Sequence, residues 1–118
     1  MVAYSKQLRQ SDVGSRLSIP KEWWDVIRPL FAEDHREIEL WAVDGLGMFW
    51  EFRCAVRQKG RYKKPVLQSD GWLQFVNYKG LAAGDMVTLE MGDNEFRGTR
   101  FMIKALKYDV AGHFWFNV

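Results

Sequence analysis

Residues 37–56 have the sequence EIELWAVDGLGMFWEFRCAV, and this stretch decides the fold class. Apolar and polar residues alternate on both sides of the pair Asp44-Gly45, which is a strong signal for a tight turn between antiparallel strands. The pattern therefore predicts a β-hairpin. Its first strand begins at Glu37 and its return strand covers residues 48–56.

Short alternating segments also lie before and after this hairpin. They cover residues 6–10, 17–19, 66–67, 86–91, 99–106 and 113–118. Segments that are rich in Gly, Ser, Asn and Asp separate them and favour turns at residues 11–15 and 92–94. About seven short strands at such regular spacing favour a closed or half-closed barrel over an open sheet.

Two helices are predicted between the strands. Pro20 suits a first helical turn, and the following apolar residues recur at helical spacing, so we expect a helix that ends near Arg28. Asp70 is typical of a helix N-cap and predicts a second helix over residues 71–78. The fold class is therefore mainly β with two short helices.

Composition narrows the range of functions. The chain has 118 residues, 47% of them hydrophobic and 27% charged, which fits one ordinary globular domain. Its single cysteine, Cys54, lies among aromatic residues in a predicted strand and is expected to be a buried structural thiol, which suits a reducing compartment. We find no nucleophile arrangement, phosphate loop, metal-ligand spacing or long apolar run. We therefore expect no enzymatic activity, cofactor, metal, small-molecule substrate or membrane span.

The charge is distributed unevenly. Residues 52–69 contain no acidic residue and six basic ones. These are Arg53, Arg57, Lys59, Arg61, Lys63 and Lys64. Because the whole chain has a net charge of +2, the remainder carries −4. Such a concentration of one sign indicates an anionic partner.

The basic stretch 57–64 is too polar for a core strand and is predicted to be a loop or a hairpin tip. Lys and Arg neutralise phosphates, while Arg and Gln make paired hydrogen bonds to guanine and adenine edges. Nucleic acid is therefore the favoured partner. An acidic protein and a lipid head group are the alternatives.

Four groups of residues, in this order, resemble the plant B3 DNA-binding domain. They are Lys6-Gln7-Leu8 with Ser11-Asp12-Val13-Gly14 and Arg16-Leu17-Ser18-Ile19-Pro20-Lys21; Trp50-Glu51-Phe52-Arg53; Gly71-Trp72 with Phe75-Val76; and Lys79-Gly80-Leu81 with Gly84-Asp85-Met86-Val87. The resemblance covers residues 6–107. It implies a seven-stranded open barrel, the DNA-binding pseudobarrel, with residues 108–118 as a C-terminal strand that completes or flanks the same domain.

The resemblance also implies a function. B3 domains belong to plant nuclear transcription factors and grip the major groove of double-stranded DNA with two arms, so we expect sequence-specific DNA binding and contact with other transcription proteins. The first arm corresponds to Ser11, Ser15 and Arg16. The second arm corresponds to Arg57, Gln58, Lys59, Arg61, Tyr62, Lys63 and Lys64. The alternative is a protein-interaction or dimerisation module on the same barrel with little DNA specificity.

A division of roles follows within the second arm. Arg and Gln have planar groups that match base edges, whereas Lys is a point charge that suits phosphate. We therefore hypothesise that Arg57, Gln58 and Arg61 read bases. Lys59, Lys63 and Lys64 would then hold the DNA backbone.

Overall fold

A computed structural model describes residues 2–31, 36–59, 62–96 and 99–118. In chain order the elements are β1 (Val2–Gln7), α1 (Gln10–Gly14), β2 (Leu17–Ser18), α2 (Lys21–Ile27) with a 3-10 turn (Arg28–Leu30), β3 (Glu37–Asp44), β4 (Phe49–Lys59), β5 (Tyr62–Leu67), α3 (Ser69–Lys79), β6 (Met86–Phe96), β7 (Thr99–Asp109) and β8 (Phe114–Asn117). Within these residues, no helix has the length and apolar character to cross a membrane.

The strands form one curled sheet in the order β1-β6-β7-β3-β4-β5-β2, and β8 pairs with β7 beside this path. Paired strands are antiparallel except β3 and β7, which run parallel. The path ends at β1 and β2 without closing, so the sheet is an open half-barrel. The predicted fold class, an open barrel made mainly of strands, is confirmed.

Several local predictions are corrected. The predicted turn at residues 11–15 is instead the short helix α1, because the Asp12 carboxylate accepts a hydrogen bond from the Arg9 N–H at 2.8 Å and supports one helical turn. The predicted turn at residues 92–94 lies within β6, whose pairing with β7 resumes at Phe96 after an irregular register. The second predicted helix is α3, which begins at Ser69, so Asp70 lies in its first turn and is not the N-cap.

Aromatic rings fill the half-barrel under α3. Trp72 and Phe75 are fully buried and stack with centroids 5.9 Å apart, and Phe52 of β4 contacts both rings. Cys54 is buried in the same core, as predicted. Burial raises the pKa of its thiol to about 12, so the thiol stays protonated at neutral pH.

A buried carboxylate joins the two edges of the open sheet. Asp12 of α1 is 1% exposed, and its Oδ1 atom lies 3.1 Å from the Lys6 Nζ on β1 and accepts a hydrogen bond from the Ser18 N–H on β2 at 3.3 Å. The Trp72 Nε1–H of α3 donates to the Asp12 carbonyl oxygen at 2.7 Å. Asp12 therefore fixes α1 against both edge strands and against α3.

A second buried ion pair lies at the far end of α3. Lys79 Nζ lies 3.0 Å from Asp44 Oδ2 and donates to the Val118 carbonyl oxygen at 3.1 Å. Burial raises the pKa of Asp44, but hydrogen bonds from Trp50, Lys79 and two backbone N–H groups outweigh burial and hold that pKa below its usual value. The Asp44 carboxylate thus fixes the turn after β3, and Lys79 connects α3 with the end of the chain.

Gly71 provides a direct test of how α3 is seated. A Cβ atom at this position would overlap the backbone carbonyl oxygen of Glu51 on β4, whereas a Cβ at Gly45 would meet nothing within 4 Å. We predict that Gly71→Ala lowers the free energy of unfolding by about 1–3 kcal/mol, because α3 must move away from β4. Urea denaturation measures this change, with Gly45→Ala as the control. Equal stability of the two variants would contradict this packing.

Candidate nucleic-acid interface

The second arm is a two-stranded ribbon that extends the sheet. Beyond Val56 and Pro65, β4 and β5 continue to pair, with Arg57 opposite Lys64, Gln58 opposite Lys63 and Lys59 opposite Tyr62. The predicted hairpin tip is therefore reached by two paired strands. Arg61 lies outside the described residues, together with Gly60. An antiparallel ribbon is one of the elements that fit the major groove.

The register divides the positions of the second arm between two faces. Directly paired positions share one face of a sheet, and successive positions alternate between faces. Positions 57, 59, 62 and 64 therefore share one face, while positions 58 and 63 share the other. The second face continues the side of β4 on which Phe52 and Cys54 are buried. Lys64 is exposed to solvent.

The first arm includes Ser11 within α1 and the two residues that follow this helix, Ser15 and Arg16. Ser11 and Ser15 are exposed, and Arg16 is half-buried. Within the described part of the chain, no acidic side chain forms an ion pair with Arg16. Arg9 and Gln10 are also exposed at the start of α1, and the sequence prediction did not include them. Their polar character just before the Ser-Asp-Val-Gly motif was the available signal.

The short pairing between β2 and β5 sets the distance between the arms. Leu17 lies opposite Leu67, and the Ile19 N–H donates to the Pro65 carbonyl oxygen at 3.0 Å. The first arm therefore ends at one end of this ladder and the second arm begins at the other. From Leu67 to Lys64, where the second arm begins on this strand, the chain advances about 10 Å, at about 3.3 Å per residue, which is close to the major-groove width of about 12 Å.

One positive charge of the predicted basic segment, that of Arg53, is paired with carboxylates of the same domain. The Arg53 Nε atom lies 3.1 Å from the Glu37 carboxylate of β3 and 3.9 Å from the Asp70 carboxylate of α3. Such half-exposed pairs contribute little to stability, but they cancel charge locally. The acid-free sequence therefore overstated the basic surface, because one of its six positive charges is paired with carboxylates of two other elements.

Comparison with known proteins shows the family of the chain and the relatives of its fold. The chain matches the family model of the B3 DNA binding domain over residues 4–107. Its fold is similar to the protein of an Arabidopsis FUS3–DNA complex, with a TM-score of 0.72 and 26% identity, over 90% of this chain and 97% of that chain. It is also similar to the Arabidopsis thaliana transcription factor LEC2 in a DNA complex, with a TM-score of 0.70 and 22% identity, over 86% and 88% of the two chains.

The curated relatives are longer proteins. Auxin response factor 13 of Oryza sativa subsp. japonica is 40% identical over 88 residues, which cover 71% of this chain and 16% of the relative. Auxin response factor 17 of Arabidopsis thaliana is 34% identical over 106 residues, which cover 85% and 18%. The chain thus spans less than a fifth of the length of these relatives. Because the family model covers most of the chain and the open barrel carries its motifs, the chain belongs to the B3 DNA binding domain family.

Proposed function

We propose that the chain binds double-stranded DNA in the major groove and reads its sequence, as the DNA-binding part of a plant nuclear transcription factor without enzymatic activity. The observation that carries this proposal is the pair of arms at the two ends of the β2–β5 ladder, at a spacing close to the groove width. The DNA complexes of the two structural neighbours support it.

The first arm supplies a single basic side chain next to two small hydroxyl residues. Arg16 lies between the exposed Ser15 and the buried Leu17, so the start of β2 holds the backbone while the guanidinium is available for a base edge or a phosphate. We propose that Arg16, with Ser11 and Ser15, contacts DNA from this side of the groove.

The second arm supplies most of the charge. Phosphate contacts from its lysines provide affinity, and the planar groups of Arg57, Gln58 and Arg61 provide sequence reading. The register adds a constraint, because positions 57 and 58 lie on opposite faces of the ribbon.

DNA binding is expected to depend steeply on salt. If about four basic side chains meet phosphates, the logarithm of the association constant falls with the logarithm of salt concentration at a slope of roughly −3.6. Titration of duplex DNA at several salt concentrations measures this slope. The double variant Lys63→Gln/Lys64→Gln should flatten it by about 1.8, whereas Arg28→Gln, an exposed charge on the 3-10 turn, should leave it unchanged. A slope near zero for the unaltered chain would contradict phosphate binding by the arm.

Arg57 and Lys64 separate base reading from phosphate contact, because they lie directly opposite each other on one face. We predict that Arg57→Ala costs about 1–3 kcal/mol on the site selected from a random duplex pool and much less on random duplex. Lys64→Ala should weaken both by the same factor. If each variant lost equally on the two DNAs, the arm would be a phosphate clamp. Selection that enriched no site would favour the interaction-module alternative.

A further inference from the structure

The Trp72 side chain lies between the two arms of the candidate DNA interface. It comes from α3 and is fully buried. On one side its indole ring packs against Phe52 of β4, with ring centroids 6.4 Å apart, and β4 continues into the second arm. On the other side its Nε1–H group donates to the Asp12 carbonyl oxygen of α1 at 2.7 Å. The side chain therefore contacts the strand of one arm and the helix of the other.

The hydrogen bond from Trp72 holds the C-terminal half of α1. The last carbonyl groups of a helix have no N–H partner inside that helix, and α1 has only five residues. The bond to the Asp12 carbonyl oxygen is buried, and a buried carbonyl group without a donor is costly. The indole therefore supplies a donor just before Ser15, where the backbone leaves the helical conformation with φ −154° and ψ −107°.

The two ends of α1 are thus held by different groups. The Asp12 carboxylate accepts a hydrogen bond from the Arg9 N–H and fixes the start of the helix. The indole bond acts on the peptide group between Asp12 and Val13, three positions before Arg16. Because the same indole ring rests on β4, this bond sets the position of the first arm relative to the second arm.

Trp23 makes the same kind of bond away from both arms. It is 1% exposed, and its Nε1–H group donates to the Tyr4 carbonyl oxygen of β1 at 2.9 Å. Tyr4 pairs with Leu89 of β6 and belongs to neither arm. Trp23 therefore provides a matched control, because its bond joins an indole to a backbone carbonyl without touching an arm.

We propose that Trp72 is a positioning residue for DNA binding, and that its indole N–H group holds the first arm at the distance from the second arm that DNA requires. This inference rests on the proposed function of the two arms. Trp72 is buried, so it acts through Arg16 and not through a contact of its own with DNA. An arm that is already held in place loses less conformational freedom on binding, and the loss of the bond therefore lowers affinity.

Trp72→Phe keeps an aromatic ring in the core and removes the N–H donor. We expect it to lower the affinity for the selected duplex about three- to tenfold at a temperature where the chain is folded. Trp23→Phe makes the same chemical change, so it should lower the melting temperature and leave the affinity unchanged. Thermal melting measures the stability, and fluorescence anisotropy of labelled duplex measures the affinity. Equal losses of affinity in the two variants would overturn the proposal.

A double variant separates positioning from a general loss of structure. Because Trp72 acts through Arg16, Trp72→Phe should weaken binding much less when Arg16 is already alanine. Trp72→Phe and Arg16→Ala would instead have simply additive effects if the indole bond and the arm were independent, and that result would overturn the proposal.

Amide NMR of the DNA-free chain tests the position of the arm independently of the proposed function. Trp72→Phe should shift the amide resonances of residues 13–16, and Trp23→Phe should leave them in place. Unmoved resonances in Trp72→Phe would overturn the positioning role. A chain that binds no duplex, although Trp72→Phe moves these resonances, would overturn the proposed function and leave Trp72 as the group that holds the arm.

Titration of the unaltered chain with the selected duplex does not depend on how the variants fold. The indole N–H resonance of Trp72 should shift as the chain becomes saturated with DNA, because DNA binding and the indole bond both act on the first arm. The indole N–H resonance of Trp23 should stay in place. An unmoved Trp72 resonance, or an equal shift at Trp23, would overturn the proposal.

Discussion

The buried Asp12 carboxylate is the interaction on which the rest of the structure depends. An open half-barrel has two edge strands that do not pair with each other, and Asp12 binds Lys6 on one edge and the Ser18 N–H on the other. Removal of one partner from a buried ion pair typically costs about 3–5 kcal/mol, because the remaining charge is left uncompensated. Asp12 lies three positions before Ser15, so it also fixes the backbone of the first arm.

The candidate DNA site is a consequence of this arrangement. With β2 held against β5, the first arm lies at one end of a short ladder, and the ribbon of β4 and β5 continues from the other end. Acidic residues of the body match the charge of Arg53. Rigid strands thus set the spacing of the arms, while we propose that the side chains at the arms supply affinity and specificity.

The confirmed predictions rest on patterns of residues that are close together in the sequence. The Asp44-Gly45 turn, the helix after Pro20 and the buried Cys54 each follow from residues close together in sequence. What the sequence could not show depends on distant contacts. The hydrogen bond of Asp12 with Trp72 joins residues 60 positions apart, and Arg53 is neutralised by carboxylates of two other elements. The basic segment was recognisable from its composition, but its division between two faces required the strand register.

The most direct test of the central claim is the DNA affinity of Asp12→Asn, measured well below its melting temperature so that the chain is folded. If the carboxylate positions the first arm, this variant loses affinity to about the same extent as Arg16→Ala. Its melting temperature also falls, whereas that of Arg16→Ala does not. An Asp12→Asn variant that binds the selected site with unaltered affinity would contradict the claim that this buried carboxylate sets the geometry of the DNA-binding surface.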